Sequence, residues 1–270
     1  YATPLMAQWL QQSGLQQPVM TAEQQQQLLQ PGIKVMHMPD IDFASYCLLL
    51  TDCLQQLAAW SVQHPQHLPV VILFNVKETG IIGGVVPPTW QAADYAAAEK
   101  VIAEVLGSGR ILKADDVRHA APQNGLGLRG MLQHYGWPPL HQALGKFILL
   151  FDGQPQQFAR YEQQFPGQRG SLFFASFDAS HPDAAIVLRN QPQAALDDIA
   201  QLAAQNLLIR TRSDDGNIPD RQRFEIAQHS SANIISTDFY PGAPQGTPQQ
   251  QLTFPGDTFF RLKPGIQCRE

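Results

Sequence analysis

A histidine, His37, stands where a short apolar segment is predicted to end as a strand. In the stretch IKVMHMPDID, residues 33–42, the side chains of Ile33, Val35 and His37 share one strand face, and Pro39 stops the strand. Because an imidazole gains or loses a proton near neutral pH, a histidine at the carboxyl end of a strand is a candidate acid or base. On this segment alone, a half-buried structural histidine is the favoured interpretation. The choice between the two depends on what the later strands carry.

Later strands of the chain also end in polar or charged side chains. We predict buried strands over residues 70–78, 146–152, 207–214 and 232–240, because each is a short apolar run with polar residues at its carboxyl end. The side chains placed at these strand ends are Asn75, Lys77, Asp152, Arg210, Arg212, Asp214, Ser236, Asp238 and Tyr240. Since the parallel strands of a barrel open their carboxyl ends at one mouth, so many polar residues indicate a site that includes His37. Ion pairs that only fill the interior of a barrel are the structural alternative.

This combination of side chains suits a substrate that carries a phosphate group. Arginine binds phosphate through two N–H groups, lysine provides a point charge, and His37 can give a proton to a leaving oxygen. The substrate contacts are assigned to Lys77, Arg210, Arg212, Asp238 and Tyr240. Asn75 and the neighbouring acids could hold a calcium ion through oxygen atoms. Cleavage of a phosphodiester is the favoured hypothesis; a glycosidase needs two facing carboxylates, and the strand ends provide no clear pair.

Predicted strands and helices alternate along the chain, which indicates a parallel sheet. With 270 residues and 44% hydrophobic composition, the chain can bury a sizeable core. We therefore expect one α/β domain over residues 1–270, a TIM-like (β/α) barrel. Residues 1–31 are predicted to be a glutamine-rich helical segment, and residues 241–270 a tail outside the barrel. The glycine- and proline-rich residues 79–88 form a loop long enough to lie over a site.

Composition argues against several classes of function. The formal net charge of -5 gives no basic surplus for binding nucleic acid, and no apolar run approaches the roughly 20 residues that span a bilayer. Three cysteines are present, without the spacing of a zinc site. Cys47 and Cys53 lie close together, and a disulfide or two buried thiols are both compatible with the sequence.

Seven segments, in this order, resemble the calcium-dependent phosphoinositide phospholipase C-like proteins of bacteria and fungi. They are HMPDID (37–42), CLLLTDCLQQLAAWSVQHPQHLP (47–69), VVILFNVK (70–77), YGWPPL (135–140), GKFILLFD (145–152), IRTRSD (209–214) and IISTDFY (234–240). The resemblance covers nearly the whole chain. It implies a phospholipase C barrel that cleaves a phosphoinositide-like substrate with the help of calcium.

The resemblance also implies roles for single residues. His37 matches the histidine at the end of the third barrel strand, the general acid for the leaving glycerol oxygen. Asn75 falls where the family usually has a calcium-binding carboxylate, so calcium is expected to bind more weakly here. Family members are typically exported, which implies an extracellular or periplasmic protein, a transient contact with a membrane surface, and a disulfide from Cys47 to Cys53 or from either to Cys268.

The amino terminus departs from the family pattern. Residues 1–4, YATP, resemble the segment that follows the second strand of the family barrel. We therefore expect the first two strands, with the catalytic base and most calcium ligands, to be missing from these residues. The chain by itself would then be an open barrel of about six main strands without measurable activity. The alternatives are a glycerophosphodiester phosphodiesterase and a non-catalytic barrel that binds phosphorylated headgroups.

Overall fold

The computed structural model describes residues 8, 12, 20–39, 42–43, 45–80, 82–119, 125–215, 218–243, 247–256 and 258–263. Its α-helices are α1 (Ala22–Leu29), α2 (Leu50–Gln63), α3 (Ala92–Leu106), α4 (Ala114–His119), α5 (Leu128–Tyr135), α6 (Leu140–Ala143), α7 (Pro155–Gln164), α8 (Leu196–Ala204) and α9 (Arg221–His229). Its strands are β1 (Val70–Asn75), β2 (Ile111–Leu112), β3 (Phe147–Asp152), β4 (Phe173–Ala175), β5 (Ile186–Leu188), β6 (Leu208–Arg212) and β7 (Ile234–Ser236). The chain divides into two compact units.

The first unit, residues 1–120 and 138–175, contains a parallel sheet built on β3. Strand β1 pairs with β3 along its whole length, and β2 and β4 pair with successive parts of β3. The run FILLFD of β3 is buried almost throughout, as expected of a central parallel strand covered on both faces. In contrast, Leu73 of β1 is 39% exposed. The register places Asn75 directly opposite Asp152 at the carboxyl ends of β1 and β3.

Helix α3 carries a buried carboxyl group into the core of the first unit. Its buried residues recur at helical spacing, and Glu99 lies among them with only 5% of its surface exposed. One carboxylate oxygen of Glu99 accepts hydrogen bonds of 2.9 Å from the hydroxyls of Tyr161 and Ser171, and the other accepts the N–H of Leu172 at 2.9 Å. Burial raises the pKa of Glu99, although these three hydrogen bonds oppose the shift. The carboxyl group thus joins α3, α7 and the chain that leads into β4.

The second unit, residues 121–137 and 176–270, contains the parallel sheet β5-β6-β7. In β6 the side chains of Ile209 and Thr211 are fully buried, whereas those of Arg210 and Arg212 on the other face are half-buried. This alternation follows from the two-residue repeat of a strand. It places both arginines on one face of β6, opposite its buried face.

Two predicted elements are wrong in detail. Residues 33–38 form no strand ending at His37, because the chain turns back on itself and Met38 makes an antiparallel bridge to Asp42. The apolar start of residues 111–116 also predicts a short strand, but the strand stops at Leu112, because Asp116 accepts the N–H of Lys113 at 2.9 Å and starts a helix there. Helix α7 was not predicted, although Pro155 at its first position is a typical helix start.

The α/β class with parallel strands is confirmed, because every described strand pair is parallel. Closure of these strands into a barrel stays a prediction. Most of the predicted helical segment 1–31 lies outside the described residues, which include helix α1 and its cap at Thr21. Residues 264–270, with Cys268, also lie outside them. None of the described helices is long and apolar enough to cross a membrane.

Candidate active site

His37 forms a pair with a carboxylate that the sequence analysis did not assign. The Nδ1 atom of His37 lies 2.8 Å from Oδ2 of Asp42, and the two side chains are 67% and 54% exposed. A carboxylate at Nδ1 accepts the N–H of the ring and fixes the tautomer, so that Nε2 is left to exchange a proton with a bound molecule. This is the arrangement expected of a histidine that acts as an acid or base.

The turn that carries His37 is fastened to the start of helix α2. The N–H of Val35 donates to the carbonyl of Leu48, and the N–H of Leu50 donates to the carbonyl of Ile33, both at 2.9 Å. A disulfide joins Cys47 to Cys53 in the first turn of α2, with their Cα atoms 5.4 Å apart. The crosslink holds the segment to which the backbone of residues 33–35 is hydrogen-bonded. It therefore also restrains the position of His37.

Asn75 and Asp152 meet at the carboxyl ends of β1 and β3. The side-chain amide of Asn75 donates to the backbone carbonyl of Asp152 at 3.3 Å and to its carboxylate at 3.4 Å. Lys77, two residues beyond the strand, is exposed. Among the described residues, no hydrogen bond or ion pair connects His37 to Asn75 or Lys77. The first unit therefore offers an exposed histidine pair and a separate amide and carboxylate pair.

In the second unit, Arg212 and Asp238, both predicted to contact substrate, lie next to each other. Arg212 contacts the carboxylate of Asp238 at 3.8 Å and that of Asp215 at 3.7 Å. Asp215 also lies 3.8 Å from Arg223, whose side chain is almost fully buried. Two cations and two anions alternate in this cluster, so its net charge is zero. Its half-exposed contacts are long, which leaves the guanidinium of Arg212 able to exchange partners with an anion.

The other predicted residues of the second unit have different surroundings. Arg210 donates to the side-chain oxygen of Asn190 at 2.5 Å. Asp214 is 1% exposed and accepts hydrogen bonds from the hydroxyl of Ser213 and the N–H of Asp238, so it supports the chain rather than facing solvent. Tyr240 is 37% exposed. That these residues lie with His37 and Lys77 at the mouth of one barrel stays a prediction.

The sequence was compared with models of known protein families. The model described as phosphoinositide phospholipase C, Ca2+-dependent, matches residues 1–264. The chain belongs to this family. No curated protein matches the chain significantly.

Solved structures of calcium-dependent phosphoinositide phospholipases C share the fold. The apo form and myoinositol complex of the enzyme from a Pseudomonas species is 16% identical, with a TM-score of 0.52, over 78% of this chain and 73% of that one. The enzyme from Streptomyces antibioticus is 17% identical, with a TM-score of 0.53, over 75% of this chain and 72% of that one. At this level of identity the likeness concerns the fold.

The phospholipase C family is calcium-dependent, so its members need oxygen ligands for the ion. Calcium takes six to eight oxygen atoms. Asn75 and Asp152 offer an amide oxygen and a carboxylate side by side, but one oxygen of that carboxylate is already bonded to the amide. Across the described ranges, no group of three or more histidine, cysteine, aspartate or glutamate residues is placed to hold a metal. The described residues do not by themselves fit a calcium site.

Sequence reasoning missed the partners of the predicted residues. Asp42 follows His37 by five residues across Pro39, and a proline-induced turn was the signal that could have indicated this pair. Asp215 follows Arg212 by three residues, so its nearness could also have been foreseen. Arg223 lies on α9, eleven residues beyond Arg212, and its place in the cluster depends on how α9 packs.

Proposed function

We propose that this chain provides the acid side of a phospholipase C reaction on a phosphoinositide. The observation that carries the proposal is the exposed His37, held by Asp42 at 2.8 Å, in a member of the phosphoinositide phospholipase C family. An exposed imidazole held by a carboxylate has the orientation and the access that a general acid needs. Support also comes from Lys77, an exposed cation that suits an anionic headgroup.

In the proposed reaction the general base that the family resemblance implies takes the proton of the inositol 2-hydroxyl, whose oxygen attacks phosphorus and forms a cyclic inositol phosphate as the bond from phosphorus to the glycerol oxygen breaks. His37 starts protonated, and its Nε2 gives the proton to that leaving oxygen, which departs as diacylglycerol. The negative charge of Asp42 stabilises the imidazolium before the transfer and keeps the ring oriented. Lys77, Arg210 and Arg212 are proposed to bind the phosphate oxygens, with Asp238 and Tyr240 on the hydroxyls of the headgroup.

A substrate panel tests this function against the nearest enzymatic alternative. The protein in its natural full length is incubated with phosphatidylinositol and with glycerophosphoinositol, and the products are separated. Release of a cyclic inositol phosphate from phosphatidylinositol supports the proposal. Release of glycerol phosphate from the second substrate, without cleavage of the first, identifies a glycerophosphodiester phosphodiesterase instead. The expectation that the 270-residue chain is inactive by itself is tested in the same assay.

A non-catalytic, headgroup-binding protein is the second candidate, and Asn75 is the observation that favours it. A neutral amide contributes one oxygen to a calcium site but no charge, and charge sets much of the affinity. We propose that calcium binding, if Asn75 takes part in it, is weak in this protein.

Replacement of Asn75 by aspartate is expected to tighten calcium binding roughly tenfold or more, because it puts a second carboxylate beside Asp152. Isothermal titration calorimetry with calcium measures the change, and Asn75→Ala, which adds no charge, is the control. Equal affinities for Asn75→Asp and the natural protein would show that this position does not contact the ion.

We further propose that the described parallel strands belong to one TIM-like barrel and that the protein functions outside the cytosol. The barrel is the arrangement that the family resemblance implies. Export is supported by the bond between Cys47 and Cys53, because disulfides persist mainly in oxidising compartments. Detection of the protein in the medium or periplasmic fraction of its natural host tests the second proposal.

A further inference from the structure

A loop between β1 and α3 presents apolar side chains to solvent. This apolar loop, residues 79–89, contains the sequence TGIIGGVVPPT, and Ile81 lies outside the described residues. Ile82 is 98% exposed, Val86 is 69% exposed and Val85 is 45% exposed. A contiguous patch of exposed apolar side chains marks a binding site more often than isolated exposed apolar side chains do.

The base of the apolar loop is held closed by a half-buried ion pair. The carboxylate of Glu78 accepts two hydrogen bonds of 2.6 Å from Arg160, and one of its oxygens accepts the N–H of Trp90 at 2.9 Å. Glu78 and Trp90 stand on either side of the loop, so this carboxylate ties its two ends together. The pKa of Tyr95 is raised to about 12, first by burial and next by the charge of Glu78. Tyr95 therefore stays neutral.

The neck of the apolar loop is narrow for a steric reason. A Cβ atom on Gly80 would collide with the carbonyl of Val85, so only glycine allows the two sides to approach this closely. Gly83 adopts a positive φ of 79° at the turn. The loop is therefore closed at its base and neck, with Ile82 at its turn and the exposed side chain of Val86 beside the neck.

We propose that the end of the apolar loop inserts into the surface of a lipid bilayer that contains phosphoinositide. The occupant is a bilayer because the loop begins four residues after Asn75, at the carboxyl end of β1, and because exposed Lys77 stands beside it with a charge complementary to anionic headgroups. Apolar side chains next to a cation are the usual composition of a surface that enters the interface of a membrane. This inference rests on the proposed function, since the substrate of that function lies in such a bilayer.

The test compares two exposed valines. Val86 lies in the loop that follows the carboxyl end of β1, and Val62 lies on the helix that precedes its amino end. Val86→Asp and Ile82→Asp are two separate variants, and each places a charge in the loop. Val62→Asp is the matched control, because Val62 is 58% exposed on the last turn of α2, which leads into the amino end of β1. Binding of the full-length protein to vesicles of phosphatidylcholine with phosphatidylinositol is measured by sedimentation, without any turnover. Unchanged thermal unfolding of each variant shows that it folds.

Each loop variant is expected to weaken binding to the vesicles about tenfold or more, because burial of one such side chain contributes at least that factor. Val62→Asp is expected to bind like the natural protein. Equal binding by all four proteins would overturn the inference, even if the protein cleaves phosphatidylinositol. A self-association that the loop variants abolish, without any loss of vesicle binding, would also overturn it and assign the loop to a contact between copies. Loop-dependent vesicle binding by a protein that cleaves no phosphoinositide would support the inference and refute the proposed function.

Discussion

Replacement of His37 by alanine is expected to slow the cleavage of phosphatidylinositol by about 10² to 10⁴-fold, the usual contribution of a general acid. The variant cannot protonate the leaving glycerol oxygen, which must then depart as an alkoxide. Because His37 is exposed and belongs to no described strand, its loss should leave the fold intact. The rate is measured from the release of water-soluble inositol phosphate by the full-length protein.

A second histidine serves as the control for this prediction. His134 is exposed on α5 and bonded to the carbonyl of Gly130, so His134→Ala should leave the rate unchanged. Asp42→Asn should lower kcat roughly tenfold and leave KM unchanged, because the amide no longer stabilises the charged ring. An unchanged rate for His37→Ala would remove the histidine from the mechanism and the pair with Asp42 from any catalytic role.

Replacement of Glu99 by leucine is expected to lower the free energy of unfolding by about 2–4 kcal/mol, because buried donors then lose their acceptor. The N–H of Leu172 loses the bond that Glu99 accepts, and the hydroxyls of Tyr161 and Ser171 keep each other and, for Ser171, the N–H and carbonyl of Phe173. Glu104→Leu on the exposed side of the same helix is the control and should change the free energy by less than about 0.5 kcal/mol. Urea denaturation measures both. Equal effects would show that the buried hydrogen bonds contribute little.

Glu99→Gln should preserve these bonds and change only the pH dependence. The amide oxygen can accept the N–H of Leu172, while its NH₂ group donates to the hydroxyl oxygens. Since burial raises the pKa of Glu99 in the folded state, the folded protein holds the proton more tightly than the unfolded chain. The stability that the protonated Glu99 contributes is therefore complete below the ordinary pKa of 4.5. It is lost as the pH rises through the raised pKa of the folded state.

The stability of the natural protein relative to Glu99→Gln should accordingly fall with rising pH, by at most about 1.4 kcal/mol per pH unit. Denaturation of both proteins at a series of pH values, starting below 4.5, measures this difference. If the stability of the natural protein relative to Glu99→Gln instead rose with pH, folding would favour the carboxylate of Glu99. Its three hydrogen bonds would then outweigh the effect of burial.

Much of the fold follows from local patterns in the sequence. The runs VVILFN and KFILLFD predict buried parallel strands; both form parallel strands, but only the second is buried almost throughout. The order of the segments around His37 was sufficient to indicate the phospholipase C family, which the family model then matched over residues 1–264. These features are carried by neighbouring residues and by the period of the side chains, so they can be read from the sequence without knowledge of the tertiary structure.

The partners of the chemically active side chains were decided by the tertiary structure. His37 was predicted at the end of a strand, but the chain reverses there and brings Asp42 to its ring. Arg212 was predicted to be a phosphate ligand, and the packing of α9 brought Arg223 to Asp215, the carboxylate that Arg212 also contacts. The loop that carries the exposed Ile82 and Val86 is likewise closed by a hydrogen bond from the N–H of Trp90 to the carboxylate of Glu78. A two-residue or 3.6-residue period tells which face a side chain occupies, but its contacts depend on turns and on helix packing, and these are set by the whole chain.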